Sequence, residues 1–348
     1  MKTLFHISED IARRVRFAGR SALVAAIALS TVARAQAPEK GPAPMVWFSA
    51  VDEMPAPRGF LVDQDYPRLF DPGAPWQYAL SRIQAFQITR RYVMSQPDEK
   101  LHNIFAFLHQ HHIALAVTLG MIPDRNCGEH VEGMVHNPNE NLAAAQRIQK
   151  LGGDLQYINA DEPLFFGHYF AGQKDKIGCR YSIEELASGY AGEIRKVRSV
   201  FRDARVVEDE PVEGLESPSD LGRWIDQVKH ELGDGAPQSI RFDVQWQSRK
   251  RPWREAARSL VATVKQHGLG YGVIIDGTPE DQTDESWIHT AKGNIKAWEA
   301  LIHEIPDHVM IQSWHQHPEK LLPETSPTTL PYLVNWYCEN ARMAHGCR

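Results

Sequence analysis

Eight short apolar runs, each followed by a stretch of helical periodicity, constrain this chain more than any other feature. The runs are Met45–Val51, Ile83–Thr89, Ala114–Leu119, Leu155–Ala160, Arg205–Glu208, Ile240–Trp246, Tyr271–Asp276 and Val309–Trp314. Between them, Leu101, Ile104, Phe105, Leu108 and His112 share one helical face, as do Ile183, Leu186, Tyr190, Ile194 and Val197, and then Leu221, Trp224, Ile225, Val228 and Leu232. Ser182 with Glu185 forms a capping box and Ser217-Pro218 a cap followed by a helix-starting proline. Gly152-Gly153, Gly233 and Gly268 stand where helices should stop. Strands that are apolar throughout need parallel pairing with both faces covered. Eight such units in about 300 residues therefore predict one closed (β/α)8 barrel of TIM type. The competing arrangement is an open doubly wound sheet, but no G-x-G-x-x-G or phosphate loop follows any strand.

Domain organisation follows from the ends of the chain. Arg13, Arg14, Arg16 and Arg20 precede an apolar stretch from Ala22 to Val32, and Ala33-Arg-Ala35 supplies the small residues of a cleavage site. The run is too short for the ~20 residues that span a bilayer. Residues 1–35 are therefore expected to be a signal peptide cleaved after Ala35, with Ala37 as the alternative, and residues 36–44 a flexible leader. Residues 45–348 are expected to form the single domain. The mature protein is expected in the periplasm or outside the cell, off the membrane and monomeric. With export, Cys127, Cys179, Cys338 and Cys347 allow three disulfide pairings; proximity favours Cys338 with Cys347, which leaves Cys127 with Cys179. No pair has the short spacing of a zinc site.

A net charge of −6 with no basic stripe excludes a nucleic-acid binder. Acids instead crowd the strand ends. Leu155-Gln-Tyr-Ile-Asn-Ala-Asp-Glu-Pro163 is an apolar segment ending in two carboxylates and a proline, and Phe48-Ser-Ala-Val-Asp-Glu53, Val206-Val-Glu-Asp-Glu-Pro211 and Val273-Ile-Ile-Asp276 repeat the pattern. In a barrel of this kind the site lies at the C-terminal ends of the strands. That rule gathers Asp52, Glu53, Asp161, Glu162, Glu208 to Glu210, Asp243, Asp276, Trp314 and His315, with Trp47, Trp246 and Trp253 adding aromatic surface. Glu129 and His130, in the loop after the third strand, face the same basin. Acids and indoles without a cofactor motif suit a neutral polyhydroxylated ligand: carboxylates bond hydroxyls, and indoles stack on a sugar ring.

On these residues the chain resembles the glycoside hydrolases of the (β/α)8 superfamily, many of which carry an Asn-Glu-Pro-like motif after strand four and a second carboxylate after strand seven. The resemblance implies Glu162 as general acid/base and Asp276 as its partner, with Glu210 in reserve. It departs from the pattern at Asp161, which stands in place of Asn, and at Asp276, which stands where retaining relatives have Glu. Asn159 and Asp161 would orient the sugar, and Trp47, Asp52, Glu129, Asp243, Trp246, Trp314 and His315 would line its site. No metal and no cofactor is expected. Two rival readings remain: a metal-dependent barrel using Asp161, Glu210, Asp243 and His315, and a glycan-binding barrel without catalysis.

Overall fold

The computed structural model describes residues 43–50, 65–124, 131–174, 176–248 and 252–347, all within one compact unit, Lys40–Arg348. The expected signal peptide, most of the leader, Asp52, Glu53, Cys127, Glu129 and His130 lie outside the described residues. Among those described, no helix is long and apolar enough to cross a membrane.

All eight expected strands are present: β1 (Met45–Ser49), β2 (Ala85–Thr89), β3 (Ala114–Leu119), β4 (Leu155–Asp161), β5 (Arg205–Pro211), β6 (Ser239–Asp243), β7 (Gly270–Ile275) and β8 (His308–Gln312). Each pairs in parallel with its neighbours, and β1 pairs with both β2 and β8, which closes the barrel. Helices that return the chain include Asp98–Gln110 after β2, Glu140–Lys150 after β3, Ile183–Arg198 after β4, Pro218–Leu232 after β5, Trp253–Gln266 after β6, Asp284–Leu301 after β7 and Leu330–Asn340 after β8. The capping box at Ser182 and Glu185 forms, and the Ser217 side chain accepts from the Asp220 amide ahead of Pro218. Gly152, Gly233 and Gly268 all adopt positive φ past their helices, a conformation that costs glycine least.

The two-residue period of each strand sorts its side chains into two cores. Val46, Phe48, Ile158, Ala160, Val206, Ile240 and Phe242 face the helices in the larger core. Trp47, Ala85, Ala114, Ala116, Tyr157, Val207, Ile274 and Met310 face the barrel interior and fill its lower part. Trp47 is fully buried there, edge-on to Tyr157 with ring centroids 4.7 Å apart. It is a core residue beneath the basin, which corrects its expected place in a substrate site.

Above this apolar plug sits a polar layer. Arg241, wholly buried, donates from Nε to Asp209 (2.7 Å) and from one terminal nitrogen to Asp209 (2.8 Å), Asn159 (2.8 Å) and Gln87 (3.1 Å). Asn159 donates back to Asp209 at 2.8 Å, and the guanidinium carbon lies 4.8 Å from the Trp47 ring centre. Four strands thus share one hydrogen-bonded charge pair across the barrel. Outside the barrel, Cys338 and Cys347 form the expected C-terminal bridge, and Cys179 is also disulfide-bonded.

Removing one partner of a buried ion pair leaves a desolvated charge, so Arg241→Met should cost about 3–5 kcal/mol in urea unfolding. Adding Asp209→Leu to Arg241→Met should recover much of that loss; additive losses in the double variant would show that the pair is not the coupled unit described.

Candidate active site

Strand parity also decides which acids meet. On β4, Tyr157, Asn159 and Asp161 point inward; on β5 it is Val207 and Asp209; on β6, Arg241 and Asp243. Of these groups, Asn159, Asp161, Asp209 and Asp243, with Asp276 just past β7, line one basin of about 710 Å³ at the C-terminal mouth of the barrel. That volume falls within the ~300–1,000 Å³ usual for ligand sites. Glu132, Asp161, Glu162, Asp209, Asp243, Asp276 and Glu280 all line it, as do Phe165, Phe166, Trp246, Trp314 and His315. No Lys or Arg does so among the described residues.

Glu162 owes its position to an uncommon backbone. Its φ is +45°, in the left-handed region that non-glycine residues rarely enter, and Pro163 follows. The Glu162 amide donates to the Asp209 carbonyl (3.1 Å), and its own carbonyl accepts from Phe166 (3.0 Å). The turn places Phe165 and Phe166 at the basin wall, edge-to-face with centroids 4.8 Å apart.

Asp276, 2% exposed, accepts from the Trp246 indole nitrogen at 2.8 Å, and its carbonyl accepts from Asn294. Trp246 is itself held by Trp253, with centroids 5.1 Å apart, and Trp253 stacks on Trp298. Trp246 therefore does more than present a face to the basin: it donates to a carboxylate from a fixed aromatic wall. Trp253 lies behind that wall and is buried, away from the rim expected for it. Trp314 is the open aromatic, 53% exposed.

His315 is 5% exposed. Its Nδ1 accepts from the Trp287 indole at 3.2 Å, which puts the proton on Nε2, and Nε2 has no partner among the described residues. Burial holds this histidine down to about 4 against the pull of Glu280 and Asp281, so it is neutral and a donor at pH 7. His317, grouped with it in the sequence, instead bonds Asp284 at 2.7 Å.

Glu210 is the displaced candidate. It has the parity of Val206, not of Asp209, and its carboxylate faces the helix layer, accepting from the Leu164 and Phe165 amides at 2.6 and 3.1 Å. It lines no part of the basin. That placement also breaks up the metal set of Asp161, Glu210, Asp243 and His315, because its second member lies behind the barrel wall. Glu208 points outward likewise, accepting from the Trp224 indole at 2.6 Å.

Burial and mutual repulsion govern the charge of the site. Burial raises Glu162 well above the usual carboxylate range, and the charges of Asp243, Glu132, Asp161 and Glu210 push the same way. Asp161 is raised by burial and by Glu132, Asp209 and Asp243, against the pull of Arg241. Burial and Asp243 raise Asp276, while the indoles of Trp246 and Trp314 favour its anion. Asp243, pushed up to about 7 by burial, Asp209, Glu132 and Glu213, acts on all three.

Glu132 is not singled out by the sequence reading, Asp209 enters it only within the span Glu208 to Glu210, and Arg241, beneath the basin, is not read as a site residue. The strand alternation could have found the last two, since Ile240 and Phe242 face the helices and the residues beside them must face inward.

No protein-family model matches the chain, and no curated protein does. Solved structures similar to it include a mutant of xylanase A from P fluorescens subsp. cellulosa in complex with xylopentaose, at 13% identity and TM-score 0.45, covering 79% of this chain and 87% of that one. An intracellular xylanase from Thermoanaerobacterium saccharolyticum, as a mutant in complex with xylotetraose, matches at 8% identity and TM-score 0.46, covering 79% and 86%. The D-psicose 3-epimerase of Clostridium cellulolyticum H10, with D-tagatose, matches at 12% identity and TM-score 0.45, covering 87% and 100%. These values concern the course of the backbone and not the chemistry.

A carboxylate raised by folding binds more protons in the native than in the unfolded state, so its contribution to stability is full below pH 4 and is lost as pH rises through the native value. For Asp243 that window runs from 3.8 to about 7. Asp243→Asn should therefore stabilise the protein at pH 8, by about 1–3 kcal/mol in denaturant unfolding, and change little at pH 4. Destabilisation at pH 8 would contradict the repulsion described.

Proposed function

We propose that this basin is the active site of an exported glycoside hydrolase acting on an oligo- or polysaccharide. The observation that carries the reading is that Glu162 and Asp276, from strands on different sides of the barrel, line one sugar-sized basin together with aromatic surface. Protonated Glu162 donates to the glycosidic oxygen as the bond to the anomeric carbon breaks. Asp276 acts in its anionic form, which the indoles of Trp246 and Trp314 favour against burial and the charge of Asp243, and supplies electron density to that carbon, directly or through a water whose proton it takes. The Trp246 indole supports the anion of Asp276, whereas the charges of Asp243, Glu132, Asp161 and Glu210 favour the protonated form of Glu162. A proton on Asp243, held up to about pH 7, relieves the repulsion on Asp276.

Asp161 and the Nε2–H of His315 are positioned to bond hydroxyls. Asn159 and Asp209 belong to the floor, with both ends of the Asn159 amide engaged. Trp314, exposed at the rim, offers a face for a sugar ring. A basin rich in carboxylates favours neutral or amino sugars over uronic acids and sulfated chains, through like-charge repulsion. The Cys338–Cys347 bridge supports export, because disulfides persist in oxidising compartments.

The test is release of reducing ends from a panel of neutral, amino and uronic polysaccharides by the mature protein. Cleavage of a neutral or amino glycan is expected, with Glu162→Gln and Asp276→Asn each lowering turnover by about 10²–10⁴-fold while the fold, read by circular dichroism, is kept. Full activity in Glu162→Gln would overturn the assignment, and saturable sugar binding without cleavage would make the barrel a binding protein.

A further inference from the structure

We propose that Glu210 is a positioning residue for Glu162, acting from behind the barrel wall by gripping the two backbone amides that follow it. The inference rests on the reading of Glu162 as the acid, and it deepens that reading.

Glu162 follows the last residue of β4 with a strained φ of +45°, which persists only where its surroundings hold it. The surroundings can be accounted for donor by donor. The Glu162 amide is taken by the Asp209 carbonyl (3.1 Å); Pro163 has no N–H to satisfy; the Phe166 amide is taken by the Glu162 carbonyl (3.0 Å). That leaves the Leu164 and Phe165 amides. The two oxygens of Glu210 accept one each, at 2.6 and 3.1 Å. No other acceptor in the described structure takes these donors.

The grip is made at a cost. Glu210 is fully buried, where a carboxylate is expensive to desolvate, and it lies next to Glu208, a second buried acid. Tyr190 and Trp224 are also packed around this pair, the indole of Trp224 donating to Glu208. A carboxyl group gives each of the two amides an oxygen of its own, one at 2.6 and one at 3.1 Å. The held segment carries Phe165 and Phe166 to the basin wall and sets the direction of the Glu162 side chain. Neighbouring backbone leaves it little freedom: a Cβ on Gly214 would meet the Phe165 ring at 2.6 Å. One buried carboxylate outside the basin thus fixes both the acid and part of the wall inside it.

Glu210→Gln keeps the shape but presents an amide NH2 to one of the two N–H groups. In the full mature protein, amide hydrogen exchange at Leu164 and Phe165 should quicken by about tenfold or more while the barrel strands are unchanged. On a glycan that the wild type cleaves, kcat should fall by about 10–100-fold with KM within about twofold, because a displaced acid affects the chemical step more than binding. The deficit should shrink on an aryl glycoside with a good leaving group, which needs no acid; a loss from general misfolding would not shrink. Glu210→Asp, with the carboxyl group kept but its reach shortened, should behave like the Gln variant. Unchanged exchange at Leu164 and Phe165, or unchanged kcat, would overturn the proposal, as would loss of the folded state in both variants. If no glycan is cleaved by the wild type, the hydrolase reading fails separately, and the exchange measurement still decides whether Glu210 holds this turn.

Discussion

The site depends on the pleat of a parallel strand in a closed barrel. Successive side chains alternate between interior and helix layer, so a one-residue step moves a group from the basin to the far side of the wall. Asp209 and Glu210 are adjacent and are separated in this way: one joins the floor, the other anchors the turn after Glu162. The same alternation brings Asp161, Asp243 and Asp276 together from three strands. No single strand could supply such a ring.

A ring of buried acids is unstable by itself, and the layer beneath limits the cost. Arg241 neutralises Asp209 with two hydrogen bonds and spends its remaining contacts on Asn159 and Gln87. Its charge reaches Asp161 and opposes the repulsion there. Among the described residues no Lys or Arg lines the basin above this layer, and Glu162, Asp243 and Asp276 keep their protons further up the pH scale. Stability is given up at the mouth of the barrel for groups that can hold and release protons near neutral pH.

Much of the fold was legible because strands buried on both faces read as apolar runs, and helices carry caps. All eight strands fall where the runs placed them. Their ends shifted where polar residues continue the strand: β5 extends through Asp209 to Pro211 because Arg241 satisfies the inward acid, and β6 stops at Asp243, before Trp246. The site was legible in part. Strand-end position gathered Asp161, Glu162, Asp243 and Asp276, which line one basin. It misplaced Trp47, which has inward parity but lies too deep, and Glu210, which has outward parity. Arg241 was overlooked because a lone arginine in an apolar run looks like surface; only its alternation with Ile240 and Phe242 shows that it points into the barrel.

The account rests on acids that share one low-dielectric basin and therefore titrate together. Carbon-13 NMR of side-chain carboxylates in the labelled mature protein, followed from pH 3 to 9, measures this directly. The account predicts a group of coupled carboxylates, Glu162, Asp161, Asp243 and Asp276 among them, whose midpoints lie well above the others. Independent titration of all four near the ordinary value of about 4 would contradict it.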